Sequence, residues 1–251
     1  MAELDPVRWS NLKNMALSPL HYRARLLAGR DTSAMKLGRV VHHLLLGGGE
    51  IVVFDGERRA GKIWDAFATK HADKEIVKAS ELAEAERIAA AVRDNAEALS
   101  LLFGAKERLI DWEFCGRKMR SHLDVLGARW VTDLKTTRSA KPEWFRWQAI
   151  KMAYHAQLAA YVDAARYVGA PVEEAYLVAV ETEEPYAVTA MRLTERALED
   201  GRKLNRLWME RLLSCEATGE WPGYVQSIVD LDTAEREPVG LVMPDGEEVA
   251  A

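Results

Sequence analysis

Between residues 117 and 137 the polarity of the chain alternates with a period of two. Met119, Ser121, Leu123 and Val125 fall on one side of an extended segment, and Arg120, His122 and Asp124 fall on the other. Gly127 suits a turn, and beyond it Trp130, Thr132 and Leu134 alternate with Val131, Asp133 and Lys135. The pattern predicts a hairpin that sets Asp133 beside Lys135 on one surface, with Asp124 across from them. Residues 108–115 read as a preceding strand that turns at Gly116, and 175–180 with 186–193 as a second hairpin.

Elsewhere the spacing is helical. Ser18-Pro19 opens a short helix that presents Arg23 and Arg25 and stops at Gly29. Thr32 caps a second helix through Leu46, ended by Gly47, in which Gly38, Val41, His42 and Leu45 share a face. Ser80 caps an amphipathic helix over 80–99, with Ala85, Ile88, Ala89 and Val92 on its apolar side. Residues 142–169 are helical with a break near Lys151, and Thr194 caps a long helix to about Cys215. Residues 50–78 read as a loop and then a short helix. Trp144, Phe145 and Trp147 are read as core in preference to a DNA platform.

A chain of 251 residues, 49% of them apolar, can bury one substantial core, so a single domain over 1–228 is expected, followed by an acidic tail over 229–251. No apolar run approaches the ~20 residues that span a bilayer, and the N-terminus lacks a signal-peptide pattern. A cytoplasmic protein with no membrane association is the expectation. Cys115 and Cys215 form no Cys-x-x-Cys pair, which argues against a disulfide framework or a thiolate zinc site. The net charge of −5 conceals basic stretches at 13–39 and 134–151, both adjoining the hairpin chemistry in sequence, as a phosphate-binding groove requires.

Two carboxylates converging on one point repel each other unless a cation lies between them, and a hard divalent ion such as Mg2+ prefers oxygen ligands. A lysine two residues on cannot ligate a metal while protonated. It can hold an attacking water or offset charge developing on a phosphate, which suits phosphodiester hydrolysis. A lone Asp-x-Lys is usually a surface ion pair. Here Asp124 precedes it, Thr136-Thr137 follows it, and the helix opened by Pro142 carries Gln157 and Tyr161 one turn apart.

Asp124, Asp133-Leu134-Lys135 with Thr136-Thr137, and Gln157-Leu158-Ala159-Ala160-Tyr161 together resemble the PD-(D/E)XK nuclease superfamily, and within it the RecE-type (exonuclease VIII-like) phage and prophage exodeoxyribonucleases. Gly38-Arg39-Val40-Val41-His42 with Leu44-Leu45-Leu46 is similar to the first helix of that group, and the resemblance extends over about 10–225. It implies an α/β fold, a restriction-endonuclease-like core whose central mixed β-sheet is flanked by helices. It implies Asp124, Asp133, the Leu134 carbonyl and His42 as metal ligands, with Glu113 as an additional candidate. Lys135, Gln157 and Tyr161 join Asp124 and Asp133 as catalytic residues. Arg23, Arg25, Arg39, His122, Thr136 and Arg138 are candidates for DNA contact, although relatives often have arginine where His122 stands.

The activity implied is Mg2+-dependent degradation of linear double-stranded DNA, 5′ to 3′, with Mn2+ as a substitute ion. The 3′ single strands left would serve recombination through a RecT-type annealing protein, and the enzyme would form a ring-shaped homo-oligomer. The iron–sulfur cluster of some superfamily members needs four cysteines, so none is expected here. Rival readings are a structure-specific or single-strand nuclease on the same fold, and an inactive module that binds DNA ends.

Overall fold

The computed structural model describes residues 5–27, 32–225 and 227–229. The expected helix stop at Gly29 and the acidic tail beyond residue 229 lie outside the described residues. β1 (Val7–Arg8) and α1 (Trp9–Leu12) lead to α2 (Pro19–Leu27) and α3 (Ser33–Leu46). β2 (Ile51–Val53), α4 (Gly61–Lys70) and β3 (Glu75–Val77) form a side layer, followed by α5 (Ala79–Asp94) and α6 (Ala96–Leu101). Three longer strands come next: β4 (Ala105–Phe114), β5 (Arg117–Leu126) and β6 (Trp130–Thr137). The chain closes with α7 (Pro142–Lys151), α8 (Tyr154–Tyr167), β7 (Glu174–Glu181), β8 (Val188–Arg192) and α9 (Glu195–Thr218).

The main sheet is mixed. Its order is β1-β5-β6-β7-β8, with β4 on the other edge of β5; β1–β5 and β6–β7 run parallel, and β4–β5, β5–β6 and β7–β8 antiparallel. Helices cover both faces. One apolar cluster packs Leu158, Ala159, Val162, Met209 and Leu212 of α8 and α9 against Val131, Ala175 and Leu177. The other packs Val40, Val41, Ile88 and Ala89 of α3 and α5 against Leu134, Val178 and Val180. Because β6 is central and covered on both sides, Val131, Thr132, Asp133 and Leu134 are all buried, and the simple in–out alternation expected of it is lost. No helix among the described residues is long and apolar enough to cross a membrane.

One irregularity of this sheet positions the chemistry. β4 pairs with β5 along its length, but the opposite edge of β5 is shared by two strands. β6 holds it only at Val125 and Leu126, and β1 holds it at Met119 and Arg120. Between these contacts, over 121–124, that edge of β5 has no ladder partner among the described residues, and the sheet forks.

Several local expectations change. α5 begins at Ala79 rather than under a Ser80 cap, since the Glu81 carboxylate takes the Lys78 N–H at 2.7 Å. Asn95 ends it and caps α6, accepting from Ala98 N at 2.9 Å. Residues 50–78 contain the parallel β2–β3 pair, strands of three residues each, too short to show a period. The break after Lys151 is real and occurs at Ala153, which adopts a left-handed conformation with φ of 56°. Of the aromatic trio only Phe145 is core; Trp144 and Trp147 are 60% and 64% exposed.

Glu81 also accepts from Arg59 Nη1 at 2.8 Å, so one carboxylate ties the side layer to the start of α5. The Arg59 hydrogen bonds come first among the causes that hold its pKa down at about 2 against an ordinary 4.5. A depressed acid stabilises the fold above its unfolded pKa and loses that contribution as pH falls through the folded one. Glu81→Gln should therefore lower stability at pH 7 by roughly 0.5–1 kcal/mol, the scale of a half-exposed pair. Thermal melts from pH 7 down to 2 should show the wild-type advantage shrinking below about pH 4.5, and a constant difference would contradict the assignment.

Candidate active site

The fork in the sheet leaves the Leu134 N–H without a strand partner, and the Asp124 carboxylate accepts it at 2.8 Å. The Leu134 carbonyl contacts His42 Nε2 of α3 at 2.9 Å. A carbonyl only accepts, so Nε2 carries a hydrogen, and Nδ1 stands 3.7 Å from Asp124 Oδ2. α3 approaches β6 closely because Gly38 sits against Thr136; a Cβ there would stand 3.2 Å from the threonine Oγ1. The Leu134 carbonyl, an expected metal ligand, thus also orients His42, one of its two lone pairs being engaged in that bond.

Asp133 lies on the opposite face of β6 from Leu134. Its Oδ1 accepts from Gln157 Nε2 at 3.1 Å, and its Oδ2 sits 2.5 Å from Lys135 Nζ without an aligned hydrogen bond. Gln157 Nε2 also donates to Tyr161 Oη at 2.8 Å. The alanine-rich face of α8 allows this, since Ala156, Ala159 and Ala160 let the helix backbone lie close to the sheet. The Lys135 ammonium lies 4.9 Å from the Tyr154 ring centroid. Burial alone would lower its pKa, but Asp133 and Asp124 outweigh that and hold it above the usual lysine value. The amine is therefore a cation at neutral pH, suited to donating hydrogen bonds rather than taking a proton.

The sequence expectation for a further acid is corrected. Glu113 pairs with Lys118 beside the β4–β5 turn, at the far end of the hairpin from Asp124. Glu107 is the acid that reaches the site, directly across from Asp124 between the Lys106–Val125 and Arg108–Leu123 pairs. Its backbone is left-handed, with φ of 51°, a conformation that costs a non-glycine residue about 1 kcal/mol or more and re-aims its side chain. Counting outward from the Gly116 turn gives this register, but the strand had been started at Arg108. Ligand atoms of His42, Glu107 and Asp124 lie within 4.8 Å of one another.

His122 lines the same cleft and bonds Glu107 at 2.9 Å. That contact raises the His122 pKa; burial pushes Glu107 upward, yet His122 outweighs it and the carboxylate ends below its usual range. The cleft is about 240 Å³, lined also by Arg8, Ser10, Gln157 and Tyr161, and shares Arg8 and Arg120 with a larger groove of about 730 Å³. Arg8 has no signature in the sequence because its strand is two residues long, whereas Lys13 opens the basic stretch at 13–39. The Lys13 pKa is lowered by burial first and then by the nearby charges of Lys135 and Arg25. Arg23 lies over Trp221, 5.9 Å from its ring centroid, and Arg138 is exposed just after β6. Arg39 turns to Glu75 of β3 at 2.8 Å and so belongs to the side layer rather than to the site. Thr136 likewise packs under α3 and not into the cleft.

The donor set fits a divalent cation. Two carboxylates and one imidazole nitrogen converge, and Asp124 behaves as an anion short of a counter-charge: burial, then Asp133, push its pKa up to about 6. Oxygen-rich sites of this type favour hard ions such as Mg2+.

A family model described as a PDDEXK-like domain of unknown function (DUF3799) matches residues 9–230. No match is found among curated proteins. A crystal structure from Eubacterium rectale, provisionally described as an exonuclease, is 16% identical over 87% of this chain and 84% of its own, with a TM-score of 0.68, which shows a shared fold. A phage-related exonuclease from Haemophilus somnus 129PT is 13% identical over 84% of this chain and 96% of its own, at a TM-score of 0.38.

The electrostatics make a direct prediction. Asp124→Asn keeps an oxygen for the Leu134 N–H but removes a buried charge, so in EDTA it should melt higher than wild type. Divalent cation should raise the melting temperature of wild type and leave that of the variant unchanged. Equal cation-induced shifts in the two proteins would remove Asp124 from the ligand set.

Proposed function

Since the chain belongs to the family of PDDEXK-like domains and carries their nuclease fold, we propose that it is a Mg2+-dependent exodeoxyribonuclease that degrades linear double-stranded DNA from its ends. The observation that carries this reading is the meeting of Asp124, Asp133 and Lys135 with His42 and Glu107 at the fork of one sheet. Residues 1–228 act as one nuclease domain in this reading.

Asp124, Glu107 and His42 would hold the metal, with Asp133 beside them. When bound, the cation polarises the phosphodiester and stabilises the leaving 3′-oxygen. Lys135 donates to the attacking water and orients it, while Asp133 and the Tyr154 ring hold the ammonium in place. Gln157 fixes the Asp133 carboxylate and the Tyr161 hydroxyl, and so sets the geometry of that wall of the cleft. His122 and Arg8 face the same space and suit contact with phosphate oxygens, with Lys13 and Arg25 extending the positive surface.

A 5′ to 3′ direction, delivery of the 3′ strand to a RecT-type annealing protein and a ring-shaped homo-oligomer form part of the same proposal, supported by the motifs shared with RecE-type exonucleases. Mn2+ should replace Mg2+, since its octahedral oxygen preference is similar.

The test is a Mg2+ time course on linear duplex labelled separately at its 5′ and 3′ ends, beside a closed circle. Early release of the 5′ label from the linear duplex alone is expected from wild type, and none from Asp133→Ala. Cutting of the circle would mean an endonuclease, and no release from any substrate would mean a binding module. Lys135→Ala should reduce turnover roughly a hundredfold or more while divalent cation still raises its melting temperature. Near-wild-type turnover in that variant would remove Lys135 from the mechanism.

A further inference from the structure

Helix α7 has one buried side, formed by Phe145 and Ala149, and one side that nothing among the described residues covers. Trp144, Trp147 and Ile150 stand there at successive helical turns, with exposures of 60%, 64% and 63%. Single exposed apolar side chains are ordinary, but two tryptophans a turn apart with an isoleucine beyond them make a continuous apolar strip. Lys141, Arg146 and Lys151 interleave with it and enter no ion pair among the described residues, and Glu143 is the one acid of the helix.

The helix that carries the strip is joined to the reaction centre through its buried side. Lys135 stacks on Tyr154, Tyr154 lies 6.4 Å from the buried Phe145 ring of α7, and Thr137 at the end of β6 donates to Gln148 Oε1 at 2.9 Å. α7 is thus fixed to the end of the strand that carries Asp133 and Lys135, with its indoles turned outward.

We propose that the outer face of α7 is a stacking platform for single-stranded DNA next to the active centre. A base inside a duplex already stacks on its neighbours on both faces, so successive free π-faces for an exposed indole pair are offered by nucleotides that have left the duplex, a duplex presenting one only at its terminal pair. The interleaved lysines and arginine match the phosphates of such a strand. A protein partner fits less well, because lysine is depleted in the cores of protein interfaces and here surrounds the apolar strip. The platform names the unpaired strand as a ligand of the site described above, and in that sense it rests on the nuclease reading.

The experiment is fluorescence anisotropy of a labelled oligo-dT strand titrated with the full chain in EDTA, so that no turnover enters the measurement. Trp144→Ala and Trp147→Ala should each weaken binding roughly tenfold, the scale of one lost stacking contact, and Trp147→Phe should retain most of the affinity. Lys151→Gln should reduce the salt dependence of binding and leave a stacking contribution in place. Unchanged circular dichroism melts are expected for all four variants, since the replaced side chains are exposed. Wild-type affinity in both alanine variants would overturn the platform, as would sedimentation showing that they dissociate an oligomer, because the face would then be a contact between copies. The two readings fail separately: tryptophan-dependent strand binding without turnover on any DNA would leave the platform standing, and turnover with tryptophan-independent binding would leave only the nuclease.

Discussion

The site depends on one hydrogen bond, from the Leu134 N–H to the Asp124 carboxylate. A buried N–H must find a partner, and at this point β5 has parted from β6, so no backbone carbonyl is available. Asp124 fills the gap and is thereby drawn into an enclosed space beside Asp133, where its charge is costly. Much of the nearby chemistry offsets that cost. Lys135 supplies a positive charge, Gln157 donates to Asp133, and His42 is turned by the Leu134 carbonyl so that Nδ1 faces the acids. A cluster that is unfavourable without a cation is prepared to receive one.

The two helical layers contribute unequally. α8 and α9 supply the larger core, and the small side chains of α8 let Gln157 and Tyr161 reach the acidic face of β6. α3 crosses the other side of β6, close to it at Gly38, and sends only His42 toward the site. The catalytic face is therefore held between a rigid alanine-rich wall and a single inserted imidazole, while β2, α4 and β3 take no part in lining the cleft.

The central hairpin was legible in the sequence because a strand with one covered face shows its period directly: Met119, Ser121, Leu123 and Val125 are buried as the alternation requires. Thr32, Thr194 and Gly47 marked helix ends by side-chain capping and left-handed geometry, which are local and readable. What was missed depended on distance. Glu107 had to be counted across a turn to be found opposite Asp124, and Glu113 was preferred because it alternates with its neighbours in a strand begun too late. Arg8 reaches the site through a two-residue parallel strand that no pattern announces. Trp144 and Trp147 were assigned to the core on residue type alone, and the turn of α7 places them outside.

The shared edge of β5 also sets an order of events during synthesis. Arg8 is made early, but its strand pairs with Arg120, and the adjacent Trp9 donates a hydrogen bond to Asn205, 196 residues further on. Asn205 in turn donates to the Ala156 carbonyl, joining α9 to α8. Contacts of such sequence separation form slowly, after the local hairpins and helices. Without α9 the segment bearing Arg8 keeps its pairing to β5 but lacks the tie from Trp9 to Asn205, so the wall of the cleft that Arg8 forms is fully fixed only once α9 has docked.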